Sequence, residues 1–258
     1  MNYQTIVFER SGDGVATITL NRPAAMNSFN QRMLDEFADV WQVVDGDDDV
    51  RALVLRAAGD RAFCTGIDVK EGVPKPDNVW SRRDPGVILG PKARKVWKPV
   101  VCAVHGMAAG GAFYWINESD IVICSEDATF FDPHVSYGMV ASLETIGMVH
   151  KIGFAQAMRM ALMGLDERVT ARTAFDIGLV TEVVPREDLH ARAHEIAALI
   201  AAKPPLAVQG TVRANWESLD LGRAAALERG LSYTHIGSPQ GIRGVDRSTY
   251  DKPEPRMR

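Results

Sequence analysis

Lys98-Pro99-Val100-Val101-Cys102-Ala103-Val104-His105-Gly106-Met107-Ala108-Ala109-Gly110-Gly111-Ala112 is the stretch that decides how this chain folds. Its first half is a short apolar run closed by Gly106, the pattern of a strand buried on both faces. Its second half puts glycines just beyond the strand's C-terminal end, and Gly110-Gly111 open a helix. Ala52-Leu53-Val54-Leu55 is the same kind of strand upstream, followed by Ala62-Phe63-Cys64-Thr65-Gly66-Ile67-Asp68. Ile121-Val122-Ile123-Cys124 is a third such strand downstream. Buried strands alternating with helical stretches predict an α/β fold with parallel pairing. Ligands of such sheets bind beyond the carboxyl ends of the strands. Glycine there lets backbone approach a ligand, and the free N–H groups of a helix N-terminus favour negative charge. The same glycines also serve turn-making and close packing. Their spacing is neither GxxxxGK[ST] nor GxGxxG, which argues against a nucleotide-phosphate cradle.

Working outward, Ile6 to Arg10 and Val15 to Leu20 alternate around Ser11-Gly12-Asp13-Gly14, which predicts a β-hairpin. A helix is expected after Asn30, because Met33, Phe37, Val40, Trp41 and Val44 recur at helical spacing. Asp45-Gly46-Asp47-Asp48-Asp49 breaks it. Residues 70 to 95 carry Pro74, Pro76, Pro85 and Pro91 and read as a mobile loop with one helical stretch towards Lys95. The chain reads as helical from Gly153, with Gly164 as C-cap. Thr170 N-caps a helix reaching Gly178, and Val180 to Val184 is strand-like. Pro185 starts a long helix with Leu189, Ile196 and Ile200 on one face, and a last helical region runs to about Leu231. The tail from Asp251 reads as extended or disordered.

At 258 residues, 46% hydrophobic and 24% charged, the chain can bury a substantial core without staples. A net charge of −4 and a pI of about 5.9, with no basic run, argue against a nucleic-acid binder. Cys64, Cys102 and Cys124 lie far apart with no CxxC spacing, as expected for reduced buried thiols. His190 and His194 share a charged helical segment and are expected to be solvated, so no metal site is predicted. No signal peptide opens the chain and no segment approaches 18 apolar residues, so the expectation is a cytoplasmic protein without a membrane span.

The combination of segments is more specific than any one of them. Asn21-Arg22-Pro23 through Asn27, Ala62 to Asp68, His105 to Gly111, and Ser119-Asp120-Ile121 occur in the order and spacing of the crotonase (enoyl-CoA hydratase/isomerase) superfamily. Met163-Gly164, Ala171 to Val180 and Val183-Val184-Pro185 continue the match, so the resemblance covers about residues 3 to 250. It implies a spiral of ββα units over residues 1 to 200, binding acyl-CoA. It also implies a helical C-terminal region, 201 to 258, that drives assembly into homotrimers or hexamers. It further implies that the backbone N–H groups of Ile67 and Gly111 form an oxyanion hole for the thioester oxygen. Ala24, Ala25, Met26, Cys64, Gly66, Asp68 and Gly110 resemble the segments that contact the CoA substrate. Coenzyme A enters as part of the substrate, and no separate cofactor is expected.

Hydratases of this family use two glutamates. The first position, after the glycine run, is Tyr114 here; the second, after a proline, is His134. Neither carboxylate is present, which predicts weak hydration of simple enoyl-CoA. Three side chains remain for acid–base work. His134 has a suitable intrinsic pKa, Glu144 opens the next predicted helix, and Tyr114 is able to orient water or a carbonyl. Glu118, one turn after Tyr114, reads as structural. Two functions stay open: a CoA-thioester lyase, isomerase or hydrolase, and a non-catalytic acyl-CoA-binding or scaffold member.

Overall fold

The computed structural model describes residues 2–73, 78–81, 84–246, 248 and 254–257. Two compact units emerge, residues 1–201 and 202–258. In the first unit, β1 (Ile6–Arg10) and β2 (Val15–Leu20) form the expected hairpin, with Ile6 opposite Leu20 and Arg10 opposite Ala16. Helix α1 (Gln31–Gly46) begins at Asn30, whose side chain accepts the Met33 N–H at 3.0 Å. Its Met33, Leu34, Phe37, Val40, Trp41 and Val44 are all buried. Burying each aliphatic side chain of that stripe contributes roughly 1.5–3 kcal/mol.

From α1 onward the chain lays strands alternately into two sheets. β3 (Ala52–Ala57), β5 (Val100–Val104) and β7 (Ile121–Ser125) join the first sheet; β4 (Ala62–Cys64), β6 (Met107–Ala109) and β8 (Thr129–Phe131) join the second. With β9 (Val169–Thr170) and β10 (Glu182–Val184), the sheet orders are β1-β2-β3-β5-β7-β10 and β4-β6-β8-β9. Apart from β1 and β9, the pairing is parallel. This is the spiral of ββα units. The continuous apolar runs now have a cause. Leu53, Leu55, Val100, Cys102 and Val104 face the main core, while Ala52, Val54, Val101 and Ala103 face helix α5 (Leu189–Ala201) on the other side of the sheet.

Helix α5 corrects one expectation. Its buried face is Leu189, Ala193, Ala197 and Ala201, at strict i,i+4 spacing, with Ile196 and Ile200 only partly covered. Small alanines let the helix lie close to the sheet, and the larger residues fill the margins. His194 on the same helix pairs with Asp13 at 2.8 Å, and His190 is exposed, as expected, with its ring 6.3 Å from that of the buried His105.

The helical stretch expected towards Lys95 is instead a run of turns, ending with Lys95 at φ 61°. The backbone N–H groups of Lys92 and Ala93, which a helix would use internally, bond to the Glu118 carboxylate at 2.6 and 2.9 Å. Glu118 is therefore structural. Pro74 and Pro76 lie outside the described residues, as does part of the tail.

The helix between β6 and β7 is short: a 3-10 turn over Gly110–Ala112 leads into α2 (Phe113–Glu118). Helix α3 (Leu143–Met163) starts earlier than the Gly153 expected and is interrupted there, where φ is 75° and ψ 164°. Thr170 caps α4 (Ala171–Asp176) by accepting the Thr173 N–H at 3.2 Å.

The second unit holds α6 (Pro205–Ser218) and α7 (Arg223–Arg243), so the last helix runs well past Leu231. Glu217 ties the two together through Arg213, Arg229 and Tyr233. Leu206, Leu227, Leu231, Ile236 and Ile242 are exposed on this unit. No helix among the described residues is long and apolar enough to cross a membrane.

Candidate active site

The site is built around the ends of β4 and β6. Gly66 has φ +88°, and a Cβ there would stand 3.1 Å from the Gly111 nitrogen. A Cβ on Gly111 would come within 2.5 Å of the Phe29 ring and 3.3 Å of the Gly66 Cα. The two glycine segments therefore touch, and only hydrogen fits between them. Phe29 also fixes Ile67. The Phe29 N–H donates to the Gly66 carbonyl at 2.9 Å, and the Asp68 N–H donates to the Phe29 carbonyl at 2.8 Å. These bonds flank Ile67 in a parallel bridge and turn its own N–H away from Phe29. Behind them Trp115 is fully buried, edge-on to Phe29 (6.1 Å) and Phe63 (6.4 Å). The N–H groups of Ile67 and Gly111 thus lie on adjoining segments held by packing.

Across the Gly110 turn the working groups are side chains. A Cβ on Gly110 would lie 3.6 Å from His134 Cε1, so the imidazole borders the same turn. His134 starts a 3-10 turn after β8. Its Nδ1 is 2.5 Å from Asp132 Oδ1, which also accepts the His134 backbone N–H at 3.0 Å. Its Nε2 is 3.8 Å from Glu144 Oε1. Glu144 sits in the first turn of α3, its backbone carbonyl fixed by Asn117 at 2.8 Å. The Tyr114 hydroxyl, on α2, donates to Asp84 Oδ1 at 2.7 Å and also contacts Glu144.

The electrostatics follow from burial and these neighbours. The hydrogen bond to Asp132 outweighs burial and, with the charges of Asp132, Glu144 and Asp84, raises the His134 pKa above the ordinary histidine value. Burial raises the Glu144 carboxyl, partly offset by His134 and Tyr114. Burial, then Glu144 and Asp84, push the Tyr114 phenol up, so it stays protonated. His105 behaves oppositely: burial pushes it down to about 4, and it belongs to the core.

The remaining predicted residues lie on one side. Ala24, Ala25 and Met26 occupy a 3-10 turn over Pro23–Ala25, with Met26 left-handed at φ 51°. Arg22 clamps this segment, donating to the Ser28 carbonyl (2.5 Å) and pairing with Asp68 (2.9 Å) and Glu71 (2.6 Å). Asn27 donates to the carbonyls of Ala58 and Ala62, both at 2.9 Å, which brings the turn beside β4. Against the penalty of burial, the backbone N–H groups of Glu71 and Lys70 and the Arg22 guanidinium hold the Asp68 carboxyl below the usual range. Its bonding is that of a turn residue. Cys64 is buried with its thiol pushed up to about 12 by burial, which makes it a poor nucleophile.

The structure thus brings His134, Glu144 and Tyr114 together and sets Gly110, Gly111, Gly66 and Ile67 beside them. Two members of the cluster had no assigned role on sequence grounds: Asp132 and Asp84. The signal for Asp132 is its place two residues before His134 across a proline. Asp84 carries no comparable signal, being thirty positions from Tyr114.

The enoyl-CoA hydratase/isomerase family model matches residues 10–238 of this chain. The chain is 36% identical over 243 residues to the (E)-benzylidenesuccinyl-CoA hydratase of Thauera aromatica, covering 93% of this chain and 90% of that protein. It is 34% identical over 197 residues to the 1,2-epoxyphenylacetyl-CoA isomerase of Escherichia coli, covering 74% of each. Among solved structures, an enoyl-CoA hydratase/isomerase from Mycobacterium paratuberculosis superposes with a TM-score of 0.85 at 37% identity, covering 94% of this chain and 96% of the other.

Proposed function

The chain belongs to the enoyl-CoA hydratase/isomerase family, and on that premise we propose that it is an enzyme moving a proton at the α-carbon of an acyl-CoA thioester. The observation that carries this reading is the meeting, at one turn, of two kinds of group. Ile67 and Gly111 lie on adjoining segments, which supports reading their backbone N–H groups as receivers of a thioester oxygen, and an imidazole at His134 borders the same turn. An enolate concentrates charge on that oxygen, and a preorganised donor of this kind is worth on the order of 3 kcal/mol. His134 carries the proton to or from the α-carbon, Glu144 is the second proton carrier, and Tyr114 holds Glu144 and Asp84 in place. The turn at Ala24, Ala25 and Met26 and the segment Cys64 to Asp68, with Gly110, line the CoA side. The relatives are named for hydration and for isomerisation, which supports a lyase or isomerase reaction over hydrolysis.

The absence of glutamate at Tyr114 and His134 also favours a second reading, a non-catalytic acyl-CoA-binding member. Calorimetry and turnover separate the two. Crotonyl-CoA and cinnamoyl-CoA are expected to bind with micromolar affinity or better, with NAD and ATP not binding. Crotonyl-CoA hydration is expected roughly 10³-fold below a competent hydratase, since each positioned acid or base contributes about 10²–10⁴-fold. Binding without turnover of any thioester favours the scaffold reading; no binding of any thioester sinks both.

The exposed leucines and isoleucines of α6 and α7 need cover. They support a homotrimer, or a hexamer of two trimers, assembled through residues 201 to 258. Light scattering that shows a stable monomer at micromolar concentration contradicts this.

A further inference from the structure

Asp132 is fully buried at the end of β8, and its two oxygens differ. Oδ1 meets both the backbone N–H and the Nδ1 of His134, at 3.0 and 2.5 Å. Oδ2 has no hydrogen-bond partner among the described residues. The carboxylate is thus committed to one imidazole. Burying a charged carboxylate is costly unless an opposite charge or donor is placed on it. Such a placement is therefore hard to explain as packing alone. Glu144, the other carboxylate beside the ring, is 3.8 Å from Nε2, too far for a hydrogen bond.

Deepening the reading of His134 as proton carrier, we propose that Asp132 is its positioning residue. It holds the neutral imidazole as the Nδ1–H tautomer, with Nε2 free towards the glycine turn, and stabilises the imidazolium when Nε2 is protonated. In the step itself the Nε2 lone pair forms a bond to the α-proton. The C–H electron pair passes into the enolate, whose oxygen is held at Ile67 and Gly111. The reverse step returns the proton, and Asp132 remains a carboxylate throughout. The charged and titratable groups facing His134 are Asp132 from its own segment, Glu144 from α3, Asp84 from the connection between β4 and β5, and Tyr114 from α2. Of these only Asp132 touches Nδ1. The bond also fixes a direction: with the carboxylate in place, His134 titrates above its ordinary value.

Asp132→Asn keeps an oxygen acceptor and removes the charge. Two-dimensional ¹⁵N NMR of the ligand-free protein, with His134 assigned by its loss in His134→Gln, reads the pair without any turnover. The wild type is expected to show the Nδ1–H tautomer, and Asp132→Asn to titrate at lower pH. In solvent exchange at the α-carbon of a bound thioester, which needs neutral His134, the rate falls as pH drops through the His134 pKa. Asp132→Asn is expected to move that limb to lower pH and to lower the maximal rate roughly 10²-fold with KM little changed. An Nε2–H tautomer in the wild type overturns the proposal, and decides the matter even where Asp132→Asn does not fold. Unchanged titration in Asp132→Asn overturns it too, as does a shifted titration with an undiminished rate. Full exchange in His134→Gln overturns instead the assignment of His134 as proton carrier, a result distinct from the NMR of the pair.

Discussion

Around Gly66 and Gly111 the proposed working groups are backbone N–H groups, held by the bonds of Phe29 and by the aromatic wall of Trp115 and Phe63. Across the Gly110 turn, around His134, they are side chains drawn from three separate segments: Asp132 and His134 after β8, Tyr114 on α2 and Glu144 on α3. The first half is set by the main-chain path, with a Cβ on Gly66 or Gly111 crowding its neighbours. The second can exchange one proton carrier for another while the fold stays the same. Here two carboxylates, Asp132 and Glu144, lie against the imidazole of His134. On the proposed reading, charge stabilisation and proton transfer are separable parts of the site, one carried by backbone and the other by side chains.

The largest effect is expected in the backbone half. Gly111→Ala drives a methyl against the buried Phe29 ring. The N–H must then move, and loss of one such donor costs about 10²–10³-fold in kcat. Overpacking adds roughly 1–3 kcal/mol of destabilisation, which a thermal melt reads separately. A variant that melts lower yet turns over normally would break the comparison, since the backbone half would then be dispensable.

The side-chain half is expected to respond more gently at its periphery. Glu144→Gln removes a negative charge 3.8 Å from Nε2. Because that charge helps raise the His134 pKa, the acid limb of α-proton exchange moves to lower pH. The shift should be smaller than for Asp132→Asn, whose hydrogen bond is the leading cause. The rate is expected to fall about 10-fold, below the range for a sole acid or base. A loss greater than that of His134→Ala would exchange their roles and make Glu144 the principal carrier.

What could be read in the sequence follows the same division. Strands β3, β5 and β7 were legible because burial on both faces leaves uninterrupted apolar runs. Helix α1 was legible because its stripe has a helical period. The second sheet was not. Its strands β4, β6 and β8 are three residues each, too short for a period to show, and β6 is flanked by Gly106 and Gly110. In the site, positions 67, 111, 114 and 134 are proposed from motif order, and 144 from its place at the start of the next predicted helix. The partnership of Asp132 with His134 depends on a turn that brings an i,i+2 pair to 2.5 Å, and that of Asp84 with Tyr114 on a contact across thirty positions. The first leaves only the Asp-Pro-His spacing as a signal, and the second leaves none. The turns at 89–95 were misread as helix because the Glu118 carboxylate that claims their N–H groups lies far along the sequence.

The central claim, that this pocket forms a thioester enolate and that His134 carries its proton, is tested most directly by deuterium exchange at the α-carbon. Butyryl-CoA and phenylacetyl-CoA are incubated in heavy water and followed by proton NMR, after calorimetry has shown that they bind. The wild type is expected to exchange the α-protons, and His134→Ala to do so at least about 100-fold more slowly with binding unchanged. Exchange by His134→Ala at the wild-type rate, or no exchange by the wild type of a thioester it binds, would contradict the account.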